Sequence, residues 1–262
     1  MIGNRSLLIT LAVLLSIPVL GAQSAPNAAK PAQSEVQPAQ PAAPQAEPLT
    51  PEKRGDIYMA RKMYREAIEQ YKQSPQTAVV LNKTGIARHQ LADLTGAKKY
   101  YERAIRKNPQ YSEAVNNLGT IYYATKNYRK AVAQYKKALE ISPNSASVYG
   151  NLGTAHFARK QYKEAAESYQ KAIALDPDVF EHRSSYGELL QERNVEERAK
   201  FHYYLAKTFA QAGNAERAIL YIRKSIEEGF KERKKYLEEP EFAALQELPE
   251  FKEVMALEPR VL

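Results

Sequence analysis

Residues Gly119–Pro143 read GTIYYATKNYRKAVAQYKKALEISP, and Gly153–Pro177 read GTAHFARKQYKEAAESYQKAIALDP. At an offset of 34 residues Leu118 meets Leu152, Gly119 meets Gly153, Ala131 meets Ala165, Tyr135 meets Tyr169, Ala138 meets Ala172 and Pro143 meets Pro177. One further shift back gives Gly85, Ala97, Tyr101, Ala104 and Pro109. A fixed period of this length marks stacked supersecondary units. Each unit reads as a helix–turn–helix. Val115, Leu118 and Tyr122 line one face of the first helix, and Ala131, Tyr135 and Ala138 one face of the second. A mid-helix glycine costs roughly 1 kcal/mol against alanine. Its recurrence at one place implies a neighbour too close for a side chain, and Tyr135 is large enough to fill the space beside Ala131 and Ala138. Pro143 then ends the second helix, and Asn144 offers a cap for the next.

The register loosens on both sides. Upstream, Gly55, Tyr58, Ala67 and Tyr71 fit, but Gly55 to Gly85 is 30 residues, so the second helix there should stop a turn early, near Ser74-Pro75. Downstream, Ala206, Phe209, Ala218 and Ile222 flank the turn Gly213-Asn214, at an offset of 53 from Ala165 to Ala218. The extra residues, about 178–196 with Phe180, Leu189 and Leu190, suit one added helix. Gly187, Ala199, Tyr203 and Ala206 also continue the 34-residue register, so the helix near 196–211 reads as first or second of a pair. Two echoing starts, Glu239-Pro240-Glu241-Phe242 and Leu248-Pro249-Glu250-Phe251, place proline and acid at helix N-termini. Short helices using Leu237, Phe242, Leu245, Leu248, Phe251 and Met255 should cover the last repeat.

The pattern resembles the tetratricopeptide repeat family, strongly over 78–177. The resemblance implies an all-α, right-handed α-solenoid with a C-terminal helical cap. The expected organisation is a short divergent repeat at 51–77, repeats at 78–111, 112–145 and 146–179, an extra helix at 180–198, a divergent repeat at 199–230 and the cap at 231–262.

The N-terminus carries Arg5, an apolar run Leu7–Leu20 of 14 residues, and the small residues Gly21-Ala22-Gln23-Ser24-Ala25. This is the pattern of a secretory signal, and a membrane span needs about 20 apolar residues. The reading is a signal peptide at 1–22 and a mature start near residue 23, in a bacterial protein that is periplasmic or secreted; the alternative is an uncleaved N-terminal membrane anchor. Residues 23–50 are rich in Pro, Ala and Gln and read as a disordered linker.

The chemistry is sparse. The 262 residues contain no cysteine, which excludes disulfides, Cys-ligated zinc and thiol nucleophiles. The four histidines, His89, His156, His182 and His202, match no metal-ligand spacing, and no phosphate-binding or nucleophile motif occurs. No cofactor and no enzymatic activity are expected. Most of the 18 tyrosines fall at repeat positions and read as core, with Tyr123, Tyr203 and Tyr204 as candidates to face outward. Charge is uneven: residues 51–177 hold 22 basic and 11 acidic side chains, and residues 178–262 hold 14 and 17. The basic pairs, such as Lys98-Lys99, Lys136-Lys137 and Arg159-Lys160, fall on second helices and turns. They read as a solvated outer face, or as a surface with a weak attraction to an anionic envelope or to acidic partners. Export argues against nucleic acid.

In the family that the repeats resemble, first helices line a concave groove. The family's inward positions correspond here to Asn82, Lys83, Ile86 and His89; Asn116, Asn117, Thr120 and Tyr123; Asn151, Thr154 and Phe157; and Lys207 more weakly. The asparagines could pair with an extended peptide backbone, and Tyr123 and Phe157 could add apolar contact. Only Lys83 suits a carboxylate clamp, since Glu113 and Ser147 stand where later bases would be needed. The function expected is a non-enzymatic scaffold holding a protein or peptide. The alternative is a structural envelope component that self-associates through its convex face or cap.

Overall fold

A computed structural model describes residues 48–181 and 194–257 of the chain. The expected signal peptide, nearly all of the expected linker and most of the expected extra helix lie outside the described residues. So do His182, Gly187, Leu189 and Leu190. Every described regular element is helical. Eight helices form four consecutive hairpins: α1 (Pro51–Ala60) with α2 (Tyr64–Lys72), α3 (Ala78–Gln90) with α4 (Leu94–Lys107), α5 (Ser112–Ala124) with α6 (Tyr128–Ile141), and α7 (Ala146–Ala158) with α8 (Tyr162–Leu175). Then come α9 (Val195–Gln211), α10 (Ala215–Glu227), α11 (Lys235–Glu238), a 3-10 helix (Pro240–Leu245) and α12 (Pro249–Met255). Each hairpin packs on the next, which makes the chain an all-α solenoid with a C-terminal helical cap.

Local chemistry sets the boundaries. The side chains of Thr77, Asp93 and Asn127 accept from the backbone N–H groups of Val80, Gly96 and Lys130, capping α3, α4 and α6. Asn108 and Asp176, both extended, and Ser142, at φ −132° and ψ 83°, are each followed by proline and end α4, α8 and α6. Asn144 does not cap α7: the N-cap position is Ser145, and no side-chain bond is made there.

The interior of each hairpin is a glycine facing a tyrosine. A Cβ added to Gly55, Gly85, Gly119 or Gly153 would stand 2.4–2.6 Å from Cε1 of Tyr71, Tyr101, Tyr135 or Tyr169. All four rings are buried. Their hydroxyls differ in satisfaction. Tyr71 donates to Asp56 Oδ1 at 2.8 Å, Tyr135 to Thr120 Oγ1 at 3.5 Å and Tyr169 to Thr154 Oγ1 at 3.4 Å. The same repeat place beside Tyr101 holds Ile86, and the buried Tyr101 hydroxyl has no partner among the described residues. An unmade buried bond costs more than a made one contributes. Tyr101→Phe is therefore expected to hold or raise stability by up to about 1 kcal/mol, while Tyr71→Phe lowers it by about 1 kcal/mol. Urea midpoints of the two variants check the contrast.

α9 carries features of both competing registers. Tyr162 of α8 stacks on Tyr204 at 4.9 Å, and Gln170, two turns further along α8, donates to Gln211 at 2.6 Å. Matching contacts in the same order mean that α9 runs parallel to α8, in the direction of a second helix. Ala199, Tyr203 and Ala206 are buried, as that register requires. α9 also forms a hairpin with α10 through Gly213, at φ +74°. Tyr123 and Tyr203 are buried and Tyr204 is half-buried, so the outward orientation is corrected. Tyr123 packs on Tyr128 at 5.2 Å, and Tyr203 stacks on Phe230 at 4.6 Å.

In the cap, Phe242, Leu245 and Phe251 are buried, with Leu248 and Met255 packed against the same cluster. Leu237 is 55% exposed, contrary to its expected core role, and the neighbouring Tyr236 occupies the interior instead. Lys207 bonds to Glu239 at 2.9 Å and pairs with Glu241 at 3.2 Å, so it ties α9 to the cap and does not line a groove.

Candidate functional site

The first helices α1, α3, α5 and α7 stand side by side, and polar rungs join each to the next. Lys83 Nζ donates to Glu52 Oε1 and Asp56 Oδ2, both at 2.8 Å. Asn117 Nδ2 donates to Asn82 Oδ1, and Asn151 Nδ2 to Asn116 Oδ1, both at 3.0 Å. Asn116 Nδ2 reaches Asn117 Oδ1 at 3.4 Å, and Asn82 Nδ2 donates to Glu113 Oε1 at 2.9 Å. The acceptors Glu52, Asn82 and Asn116 share one repeat position, and the donors Lys83, Asn117 and Asn151 the next. Gly150 falls at the acceptor position in α7, where the series ends.

This pairing changes what the asparagines can do. The amides expected to meet a peptide backbone are largely bonded to each other. Asn82, Thr120, Tyr123, Asn151, Thr154 and Phe157 are buried, whereas Lys83, His89, Asn116 and Asn117 are half-buried. The burial of Phe157 has a visible cause: it meets Phe201 at 5.6 Å and Tyr204 at 5.8 Å, both on α9. Thr120 and Thr154 receive the tyrosine hydroxyls of their hairpins. Asn151 Oδ1 is buried without a partner among the described residues.

The accessible part of the face therefore lies on α1, α3 and α5. Its stripe on α3 runs through Val79 (42% exposed), Lys83, Ile86 and Gln90, at helical spacing. On α5 it includes Glu113 and Asn117. The electrostatics are acidic, because Lys83 is matched by Glu52 and Asp56, and Glu113 remains exposed. Burial alone would lower the Lys83 ammonium; the bonds to Asp56 and Glu52 outweigh it and hold the pKa above the ordinary lysine value. Lys83 is thus committed within the chain, which further disfavours a carboxylate clamp. Tyr111 is pushed up to about 12 by burial and by Glu113. Glu52 and Asp56 escaped the sequence reading. Their signal was a 30-residue offset from Asn82 and Ile86 in the shortened first repeat.

Among the described residues no group of three or more His, Asp or Glu could hold a metal ion, and no helix is long and apolar enough to cross a membrane. His156 is buried against Gln161 at 3.1 Å, and burial lowers its pKa. His202 meets Glu228 at 2.8 Å, within the α9–α10 hairpin.

The tetratricopeptide repeat family matches residues 112–178, which span α5 to α8. A crystal structure of MamA is similar at 25% identity, with 51% of this chain and 75% of that chain covered and a TM-score of 0.45. A MamA fragment from Desulfovibrio magneticus RS-1 is 20% identical, with 68% and 92% covered and a TM-score of 0.48. YrrB, a TPR protein with an unusual peptide-binding site, is 23% identical, with 47% and 66% covered and a TM-score of 0.43. No curated protein sequence matches the chain.

Proposed function

We propose that the chain is a non-enzymatic interaction scaffold, and that it holds an extended segment of a partner protein across α1, α3 and α5. The observation that supports this is the α3 stripe. Exposed Val79 and half-buried Ile86 offer apolar contact, and the bonded amide row beside them fixes the spacing of the helices beneath a ligand. The acidic rim of Glu52, Asp56 and Glu113 favours a partner segment that carries lysine or arginine. The N-terminal sequence supports action outside the cytoplasm, in the periplasm or beyond. Val79→Arg with Ile86→Arg should abolish partner capture from envelope extract while leaving helicity unchanged, since both side chains reach solvent. Crosslinking followed by mass spectrometry of the full chain reads this out. Capture of the same partners by variant and wild type would remove the face from consideration.

A further inference from the structure

The two edges of the solenoid differ in charge. On one edge lie the turns inside each hairpin. Three of these, 61–65, 125–130 and 159–163, carry three Lys or Arg each, and all nine are exposed. None forms an ion pair among the described residues. The fourth turn, 91–95, has only Asp93, paired with Arg88 at 2.5 Å. On the other edge lie the proline turns 73–77, 108–111, 142–145 and 176–178, which contain no Lys or Arg. Solubility alone does not require such sidedness.

Seven of the nine meet an unfavourable backbone conformation or helix end; Arg61 and Arg159, the C-cap residues of α1 and α7, sit where the dipole favours them. Lys62, Lys126 and Lys160 adopt φ of +58° to +61°, a left-handed conformation unfavourable to side chains. The α9–α10 turn fills the corresponding place with Gly213 at φ +74°. Arg65, Arg129, Lys130 and Lys163 lie in the first turns of α2, α6 and α8, where the helix dipole disfavours positive charge. By contrast Arg106 and Lys107 end α4, where the dipole favours them.

Apolar groups share the basic edge. Met63 and Leu91 are 37% and 39% exposed, and Tyr64, Tyr128 and Tyr162 are half-buried at the first positions of their helices. Lysine, arginine, tyrosine and exposed aliphatics together are the composition of a membrane–water interface. The tips recur from hairpin to hairpin along one edge, so a partner with an extended anionic surface can meet several at once.

We infer that this edge docks the solenoid onto an anionic phospholipid bilayer. Contact with the bilayer leaves the α1–α3–α5 face open, so the inference does not depend on the partner proposed for that face. Cosedimentation of the full chain with vesicles tests it, using phosphatidylcholine with phosphatidylglycerol beside phosphatidylcholine alone. The N-terminal segment, with its Arg5, is the same in wild type and in every variant, so the loss of anionic preference in the turn variants reports the edge. Wild type should prefer the anionic vesicles, and added salt should weaken that preference. Lys62→Gly, Lys126→Gly and Lys160→Gly combined should weaken anionic binding about a hundredfold, at roughly 1 kcal/mol per charge, with an unchanged or higher melting temperature. Arg129→Gln with Lys163→Gln should weaken it more than about tenfold by a route that leaves the turns intact. Arg106→Gln with Lys107→Gln on α4 should change nothing. Equal binding to both vesicle types, wild-type binding by the turn variants, an equal loss in the α4 variant, or binding to duplex DNA or polyglutamate with vesicles left unbound would each overturn the inference.

Discussion

Gly119→Ala is expected to destabilise the protein by about 2–3 kcal/mol, although alanine is the better helix former by roughly 1 kcal/mol. The added Cβ would stand 2.6 Å from Cε1 of Tyr135. Both residues are fully buried in the middle of the repeat array, so neither can step aside into solvent. Overpacking of this kind forces backbone shifts that outweigh the propensity gain. For a body of this size the loss corresponds to a fall in melting temperature of roughly 4–12 °C. The α9–α10 hairpin suggests the rescue. Counted from its turn, it carries Ala206 where the earlier hairpins have glycine and Ile222 where they have tyrosine, and both are fully buried. Gly119→Ala with Tyr135→Ile should recover most of the loss. A melting temperature for Gly119→Ala equal to that of wild type would mean that the glycine column is not a packing device.

The same column shows how much of the fold was legible in the sequence. The glycine, tyrosine and alanine positions recur at 34 residues because each hairpin solves the same close-packing problem, so period and contact were read together. The asparagine pairing was not legible from that period. Its partners, Asn82 with Asn117 and Asn116 with Asn151, stand 35 residues apart. A repeat alignment places them in two adjacent columns and does not say that the columns touch. Reading the amides as groove residues placed them on first helices but missed that they are largely bonded to each other. Phe157 failed for a different reason. It is covered by Phe201 and Tyr204 of α9, and its counterpart one repeat earlier, Tyr123, is buried against Tyr128 of its own hairpin. The direction of α9 was undetermined because buried small and aromatic residues at Ala199, Tyr203 and Ala206 satisfy both registers.

The second large effect lies in the cap. Tyr236→Ala should cost about 3–5 kcal/mol, the usual loss for a buried aromatic residue. Its ring packs on Phe242 at 5.0 Å, Tyr203 at 5.6 Å and Phe230 at 5.7 Å, and its hydroxyl lies 2.6 Å from Ser225 Oγ. Truncation would open a cavity between α9, α10 and the 3-10 helix and leave Ser225 without its buried partner. Because repeats contact only their neighbours, the damage should stay local at first. Amide hydrogen exchange should quicken across 199–255 while α3 to α6 keep their protection. The neighbouring Leu237→Ala serves as the control, with an expected change under about 0.5 kcal/mol at an exposed side chain. Equal losses for the two variants would mean that the cap is anchored elsewhere.

The central claim is that the first-helix face of α1, α3 and α5 holds a partner protein. Site-specific photo-crosslinking tests it most directly, with the reactive group placed in turn at Val79, at Ile86, at Lys137 on the outer face and at Leu237 in the cap. Adducts at Val79 and Ile86 to a segment of another protein, with Lys137 and Leu237 unreacted, are the predicted result. Adducts confined to Lys137 or Leu237, or adducts only between copies of this chain, would contradict it.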